Sequence, residues 1–389
     1  MRIQYKLFFC LLLMAASAAF LPGCWNYKEI DKLSLVSGVG VDEDEQGRYL
    51  LTIEIVDMHE GGKEAKMRSK LIETSGDTIF DAVRNSLEIT AFRLYWGHVE
   101  TCIISRKVAE EDIIPVIDWL TRDSEPRLNI NLYVSFEKTA KEILEAQSIT
   151  GEIRSYEIND MLQVQNILSK TYVVEVYDFV NSFSNEGISA VLPAIQLVER
   201  EQGKTSEISG IAVFKEDKLI GYLNGDEAKY FNFIRNKIKG GVIPLNDQPD
   251  SGDEAKDDIA LEIFGNKTIL EPEYAGGKIS FTLKVNTKVA IDEFGAAGAV
   301  MDDKKISEVE KKAEELLTAN IQQLIKKVQK EFDADIFGFG NKIYKDMPWL
   351  WEKIGGRWND IFKEIDVKVD VKVHIQDTGL LSKAIDIGD

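Results

Sequence analysis

The sequence predicts an α+β protein of three mixed α/β domains, in which mostly antiparallel sheets are flanked by helices. Strand and helix patterns alternate from residue 33 to about residue 150. A stretch rich in Asp, Pro and Gly interrupts the chain, and beyond it two strand patterns precede a long amphipathic helix that one alternating strand follows. We therefore expect an N-terminal domain at 24–150, a middle domain at 151–245, an acidic linker at 246–258 and a C-terminal domain at 259–389.

The N-terminal domain is predicted from the two periods of apolar residues. Residues 33–60 indicate two strands around the polar turn Asp42–Gly47, and Asp77–Ala91 has the spacing of a helix. The remaining elements are a strand at Val99–Ser105, a helix around Ile113–Arg122, a strand at Leu128–Phe136 and a short helix at Thr139–Ala146.

The middle and C-terminal domains follow in the same way. Ile158–Ser169 is predicted as a helix, whereas Val173–Phe183 fits either a helix or a strand. The apolar stripe of the long helix is expected to face a sheet. The other elements are a hairpin at Ser206–Tyr222, a helix at Asp226–Lys239, strands at Ile259–Glu271 and Lys278–Asp292, the long helix at about Lys304–Phe332 and a half-buried strand at Asp366–Gln376.

Residues 1–23 have the features of a cleaved signal peptide. Arg2 and Lys6 precede an apolar run that is too short to cross a hydrocarbon core of about 30 Å as a helix. The run leads into Leu21-Pro22-Gly23-Cys24, which matches a bacterial lipobox. A plain signal peptide with an incidental cysteine is the alternative, but the chain has only 3 Cys. We therefore predict that Cys24 carries the lipid and anchors the protein to the outer face of the membrane.

The segment after Cys24 is short and lacks the Ser- and Gly-rich composition of a flexible tether. Residues 25–33 span at most about 30 Å when extended. We therefore expect the folded body to lie close to the membrane or against an integral membrane protein.

Charge and cysteine content narrow the possible functions. The formal net charge is −19, and a body this acidic repels phosphate backbones, so no nucleic-acid partner is predicted. Cys10 leaves with the signal peptide and Cys24 is acylated, so Cys102 is the remaining free thiol and no intramolecular disulfide is expected. Cys102 lies in a strand pattern, which favours a buried structural residue over a nucleophile.

No motif in the sequence supports an enzyme. His59, His98 and His374 are far apart and form no metal-binding pair. Ser135 and Lys138 match a Ser-x-x-Lys pattern, but the serine falls inside a predicted strand and the companion motifs of acyl-serine enzymes are missing. We therefore predict no catalytic residue, no metal site and no cofactor.

Two clusters leave a structural and a functional interpretation open. Arg122 and Arg127 bracket Asp123 and Glu125, which favours a local salt-bridged corner, with a partner-contact site as the alternative. Trp349, Trp351 and Trp358 form the second cluster; Trp351 and Trp358 are seven residues apart, and this spacing favours one core-facing helix face. If exposed, these tryptophans would instead anchor an interface.

Several segments together resemble the Ger(x)C family, the lipoprotein C subunits of spore germinant receptors. The resemblance begins at the lipobox and covers nearly the whole mature chain. The matching segments are Gly23–Ile30, with Asn26 where the family has Asp, then Tyr95–His98, Arg122–Arg127, Gly221–Leu223 with Glu227, Asp335–Gly340, and Trp351–Trp358 followed by an alternating strand and Gly379.

The resemblance implies a role in nutrient-triggered spore germination. It implies a subunit anchored on the outer face of the inner spore membrane, working with an integral-membrane A subunit and a polytopic, transporter-like B subunit. It also implies a fold of three mixed α/β domains, and no catalytic residue carries over. The alternatives are an extracytoplasmic solute-binding lipoprotein, which needs a ligand cleft, and an envelope hydrolase, which the missing motifs disfavour.

Overall fold

The computed structural model describes residues 4–9, 33–57, 68–201, 203–245, 259–294 and 302–377. The predicted lipobox with Cys24, His59, the acidic linker and Gly379 lie outside these residues. The strands are β1 (Leu33–Glu43), β2 (Tyr49–Asp57), β3 (Arg68–Gly76), β4 (Arg93–Tyr95), β5 (Thr101–Ser105), β6 (Asn131–Ser135), β7 (Val191–Arg200), β8 (Gly203–Lys215), β9 (Lys218–Leu223), β10 (Val242–Leu245), β11 (Ile259–Ala275), β12 (Lys278–Phe294) and β13 (Asp366–Asp377).

Helices connect most of these strands, and residues 4–9 are also helical. The numbered helices are α1 (Ile79–Asn85), α2 (Arg106–Glu111), α3 (Ile114–Arg122), α4 (Ala140–Glu145), α5 (Arg154–Gln163), α6 (Gln165–Leu168), α7 (Val176–Ser184), α8 (Gly225–Ile234), α9 (Asp303–Glu331), α10 (Phe339–Asp346), α11 (Pro348–Ile354) and α12 (Trp358–Glu364). Short 3₁₀ turns lie at Ser86–Glu88, Trp96–His98 and Gly355–Arg357.

A nine-stranded sheet forms the first layer, in the order β3-β2-β1-β5-β6-β7-β8-β9, with β4 paired to the start of β1. Its centre is parallel, because β1, β5, β6 and β7 run in the same direction. Antiparallel hairpins flank this centre on both sides. Parallel strands need long crossover connections, and these connections are the segments that carry α1 to α7.

Helices cover both faces of this sheet. Successive side chains in a strand point to opposite faces. Accordingly, Cys102 and Ile104 of β5 belong to a core shared with α1, α3 and α7, whereas Ile103 faces α4 and α5. The sheet is therefore buried on both sides at its parallel centre, as parallel sheets usually are.

Two buried carboxylates of the β1–β2 hairpin region hold the helices of the second face. Asp42 accepts hydrogen bonds from the backbone N–H groups of Ala140 and Lys141 at 2.7 and 3.1 Å, at the start of α4. Glu54 accepts from the N–H groups of Arg154 and Ser155 at 3.1 and 2.8 Å, at the start of α5. Helix N-termini present unpaired N–H donors and a positive dipole end, which both carboxylates satisfy.

The C-terminal part of the chain forms a four-stranded sheet, β10-β11-β12-β13, on which the long helix α9 packs. The apolar stripe of α9 faces this sheet, as predicted, and α8 completes the same core. Two glutamates of α9 reach the edge strand β13: Glu314 accepts from the Val373 N–H at 3.2 Å and Glu310 from the Ile375 N–H at 2.9 Å.

The predicted α+β class is confirmed, and so are the hairpins β1–β2, β8–β9 and β11–β12. The predicted Ile158–Ser169 helix is instead two helices, α5 and α6, which end at the left-handed Ser169. The ambiguous segment at 173–183 contains helix α7. Helix α8 ends at Ile234, five residues before the predicted Lys239, because Asn236 is left-handed with φ 54°.

The nine-stranded sheet continues across residue 150. Val134 of β6 pairs with Ala194 of β7, so strands from the predicted N-terminal and middle domains share one sheet. Strand β10 lies just before the predicted linker and pairs with β11 just after it. Strand pairs thus connect the segments on either side of residue 150 and on either side of the predicted linker. The domain boundaries stay predictions.

Candidate functional site

The parallel strands of the large sheet begin at one edge, which we call the N-terminal edge. It comprises the start of β1 at Leu33, residues 84–95, and residues 122–131 with the adjoining Tyr177. Leu33 pairs with Arg93 of β4, and five residues further along β1 Gly38 pairs with the start of β5. The chain therefore enters the folded body at this edge.

The segment Arg122–Arg127 forms a tight corner on the N-terminal edge. Helix α3 ends at Arg122, and the Asp123 carboxylate accepts a hydrogen bond from the Glu125 N–H at 3.1 Å. Pro126 is buried, so the corner is fixed to the body while both arginines remain exposed. Asp and Pro are typical turn residues, because an Asp side chain accepts from the backbone two residues on and Pro has a fixed φ.

Ion pairs are present at this corner, but each joins a residue of the Arg122–Arg127 segment to a residue outside it. Arg122 pairs with Asp118, one helical turn earlier, at 2.5 Å. Glu125 pairs with Arg93 of β4, so it joins the corner to the strand beside Leu33. Among the described residues no ion pair to Arg127 is found. Arg127 is therefore an exposed cation on a rigid turn.

A small cleft of about 80 Å³ lies between this corner and helix α1, lined in part by Arg84, Leu87 and the Arg93–Glu125 pair. Arg84 lies over the ring of Phe80, 4.6 Å from its centroid. The arginines around the cleft are therefore engaged by a ring or a carboxylate, and the apolar Leu87 lies between them.

The Tyr95–His98 segment fixes β4 to the body. Trp96 is buried and meets Trp119 of α3 edge to face, with ring centroids 5.2 Å apart. A Cβ at Gly97 would lie 2.7 Å from the ring of Tyr95, so a larger residue at this turn would have to displace that ring. Trp96 and Gly97 therefore support the N-terminal edge by packing, whereas His98 is exposed.

A second region, the Asp335 junction, comprises residues 186–189, 333–341 and 351–360. Asp335 is fully buried, and its carboxylate accepts from the N–H groups of Phe337, Gly338 and Gly340 at 3.1, 2.8 and 2.7 Å. The Trp358 Nε1–H donates to the same carboxylate at 3.0 Å. Burial raises the pKa of Asp335, and these hydrogen bonds only partly offset it.

The junction joins the large sheet to the C-terminal part of the chain. The Ser189 N–H donates to the Asp335 carbonyl at 2.7 Å, and the Asn341 N–H donates to the Gly187 carbonyl at 2.8 Å. Trp351 donates from Nε1 to Glu186 at 2.6 Å. Residues 186–189 directly precede β7, so these bonds hold one end of the large sheet against α10 and α11.

Two of the three tryptophans of the cluster are core, as predicted, although their helical geometry differs from the prediction. Trp351 and Trp358 are both buried, with ring centroids 5.5 Å apart. They lie on α11 and α12, which the Gly355–Arg357 turn separates, so the single helix face expected from their spacing is wrong. Trp349 is half exposed and meets Tyr274 of β11 edge to face.

A cleft of about 600 Å³ opens at the junction, lined mainly by polar groups of residues 186–190, 215–216, 333 and 355–360. Asp333 binds Lys215 at 2.6 Å and Lys363 at 2.9 Å. Burial acts to raise the pKa of Asp333, but the bonds from Lys215 and Lys363 outweigh it and hold that pKa below its usual range. Asp333 and Lys215 of this cleft thus bind one another, whereas Arg357 is exposed at its rim.

The remaining chemically interesting residues are structural. Cys102 is buried, as predicted, and burial raises the pKa of its thiol to about 12. Ser135 is buried, and its hydroxyl donates to the Thr139 carbonyl at 3.2 Å. Within the described part of the chain no group of three or more His, Cys, Asp or Glu side chains could hold a metal ion. None of its helices has the length and apolar character to cross a bilayer.

Comparison with known proteins identifies the chain as a spore germination protein. A family described as "Spore germination protein N-terminal domain" matches residues 26–197, and one described as "Spore germination B3/ GerAC like, C-terminal" matches residues 209–379. The chain belongs to the Ger(x)C family of these proteins. The family is one of germinant receptor subunits and is not a known enzyme family.

Relatives from Bacillus subtilis match along almost their whole length. The chain is 26% identical to "Spore germination protein KC", covering 97% of each chain, and 25% identical to "Spore germination protein B3", covering 93% of this chain and 96% of that one. In fold it is similar to the structure titled "Crystal Structure of the GerBC protein", with a TM-score of 0.56 and 22% identity over 87% of this chain and 97% of that one.

Proposed function

We propose that this protein is the lipid-anchored C subunit of a spore germinant receptor, needed for nutrient-triggered germination through contacts with the integral-membrane A and B subunits. The germination role follows from the family. The main support for the anchor is the lipobox ending at Cys24, nine residues before β1 begins at Leu33. Stable anchoring takes two acyl chains, which the diacylglycerol of a lipoprotein supplies.

The anchor is tested by metabolic labelling with an alkyne analogue of palmitate. We expect label on the wild-type protein and none on Cys24→Ala. Cys10→Ala is the matched control, because Cys10 lies inside the predicted signal peptide and should not affect labelling. An unlabelled wild-type protein would contradict the anchor, even if germination depends on the protein.

We further propose that Arg127 contacts an A or B subunit, with Arg122 beside it. Arg127 is exposed, fixed on a rigid turn and without an ion pair among the described residues, so its charge is available to an acidic partner. Arg127→Ala should sharply reduce co-purification of the A and B subunits from spore membranes and slow germination. Arg122→Ala should have a smaller effect, because Asp118 already binds Arg122.

Arg200→Ala is the matched control, because Arg200 is also exposed and lies at the end of β7, away from the N-terminal edge. Equal co-purification for Arg127→Ala and Arg200→Ala would contradict the contact. Surface arginines contribute little to folding, so all three variants should unfold like wild type.

The solute-binding alternative would use the cleft at the Asp335 junction. This cleft has the volume for a small nutrient, but Asp333 and Lys215 in it bind one another and its buried Asp335 is held by N–H donors of the protein itself. Under our proposal, nutrient germinants leave the melting temperature of the isolated protein unchanged. A ligand at a hundred times its dissociation constant would instead add about 2.7 kcal/mol of stability, so a clear rise would favour the alternative.

A further inference from the structure

We propose that the N-terminal edge rests on the lipid bilayer, with Leu87, Ile89, Leu128 and Tyr177 in its headgroup region. This inference rests on the proposed anchor at Cys24 and names the face that the anchor presents to the lipid. The geometry of the chain, the exposure of these side chains and the charge around them each support it.

The tether brings this edge to the membrane. Residues 25–33 reach at most about 30 Å from the acylated cysteine. Leu33 pairs with Arg93, and neighbouring strands lie about 4.8 Å apart. Ile89 precedes Arg93 by four residues, so it lies within about 20 Å of Leu33 by covalent reach alone. The opposite end of β1, at Glu43, lies about 33 Å further along the strand.

Leu87, Ile89, Leu128 and Tyr177 are among the large side chains that are exposed at this edge. The exposed fractions are 44% for Leu87, 60% for Ile89, 46% for Leu128 and 58% for Tyr177. Leu87 and Ile89 lie just before β4, and the Tyr177 N–H donates to the Leu128 carbonyl at 3.0 Å. These side chains lie in neighbouring segments at one end of the large sheet, and exposed apolar side chains that are grouped in this way are typical of a membrane or partner contact.

The charges at this edge favour lipid contact through apolar groups. Arg84 lies over Phe80, Arg93 pairs with Glu125 and Arg122 pairs with Asp118. Arg127 is the one arginine of this edge without an ion pair or ring contact among the described residues, and a single cation on a strongly acidic protein adds little attraction to anionic lipid. We conclude that zwitterionic lipid is sufficient for this contact and that salt leaves it unchanged. Residues 25–33 connect this edge to the proposed lipid on Cys24, and we therefore favour a bilayer over a protein partner.

Site-specific labelling of the full-length lipidated protein tests the contact. Leu87→Cys, Ile89→Cys and Leu50→Cys are each labelled with bimane and reconstituted into phosphatidylcholine vesicles that contain brominated lipid. Leu50 is the matched control, because it is a 36% exposed leucine that pairs with Asp42 near the far end of β1. Cys102 is buried with a strongly raised thiol pKa and stays unlabelled, and the parent protein without an added cysteine verifies this.

We expect the brominated lipid to quench bimane at positions 87 and 89 several-fold more than at position 50, equally at low and high salt. Equal quenching at the three positions, in protein that floats with the vesicles, would overturn the inference while leaving the anchor intact. Shielding of positions 87 and 89 only when the A and B subunits are present would also overturn it, in favour of a protein contact. Failure to float with vesicles would contradict the proposed anchor itself.

Discussion

The N-terminal edge and the Asp335 junction both contain segments that resemble the Ger(x)C family, yet they differ in what those segments do. At the junction, the Asp335 carboxylate accepts four hydrogen bonds and no part of it reaches solvent. At the edge, Arg122 and Arg127 are exposed on a rigid turn. One family-like segment therefore forms buried hydrogen bonds that hold the fold together, and the other presents exposed charged side chains.

This difference separates effects on stability from effects on assembly. Substitutions at the junction should change the free energy of unfolding, because they leave buried donors unpaired or force buried groups apart. Substitutions at the edge should leave the free energy of unfolding unchanged and act through the membrane and subunit contacts proposed above. The following four predictions test the contrast, beginning with the largest expected effect.

Asp335→Ala should lower the free energy of unfolding by about 3–5 kcal/mol, because it leaves four buried N–H donors without an acceptor. Urea unfolding followed by tryptophan fluorescence measures the change. Asp360→Ala is the control at the same cleft, since Asp360 is exposed and should have little effect. Similar urea midpoints for the two variants would show that the hydrogen bonds of Asp335 do not stabilise the fold.

Gly340→Ala should lower the free energy of unfolding by about 1–3 kcal/mol through overpacking. A Cβ at this position would lie 2.5 Å from Trp358 Nε1 and 2.8 Å from the Gly187 Cα. Gly356→Ala is the matched control, because a Cβ there has nothing within 4 Å. Thermal unfolding distinguishes the two substitutions, and equal melting temperatures would show that the junction can relax around the added methyl group.

Asp333→Asn should cost about 0.5–1 kcal/mol at neutral pH, since it removes two partly exposed ion pairs. Asn also tolerates the left-handed backbone of this position, at φ 50°. The folded pKa of Asp333 is lowered, so its contribution is present above the unfolded pKa of about 3.9 and is lost as the pH falls through the folded pKa. Unfolding at stepwise lower pH should therefore bring wild type and variant together.

Ile89→Ser should change the free energy of unfolding by less than about 0.5 kcal/mol, because the side chain is largely exposed. Urea unfolding of the isolated protein measures this smallest effect. A loss above about 1 kcal/mol would place Ile89 in the packing of the fold and would remove the contrast between the edge and the junction.

Much of the fold could be predicted from the sequence where its determinants are local. Helix α9 repeats its apolar stripe over eight turns, and β13 alternates valine with charged residues. The hairpin β8–β9 is defined by its turn at Glu216, which adopts a left-handed φ of 53°. Each of these signals lies within the element that it predicts.

The missed strands depend on distant partners. Strand β7 contains Pro193, Gln196 and Glu199, which weaken its strand pattern, and it is held between β6 and β8. Strand β3 is rich in polar residues, of which Arg68, Lys70 and Glu73 are exposed, and it forms an edge of the sheet. The burial of Asp335 could not be predicted either. Its partner Trp358 lies 23 residues further along the chain, outside the turn that contains Asp335.

The glutamates that α9 extends to β13 have a consequence for crowding. An unprotected strand edge invites pairing with a neighbouring chain. Because Glu310 and Glu314 already occupy the Ile375 and Val373 amides, another molecule would have to displace two carboxylates before adding a strand there. Neighbouring copies of the chain would thus be hindered from pairing their sheets along β13, including copies brought together on a membrane by the anchor proposed above.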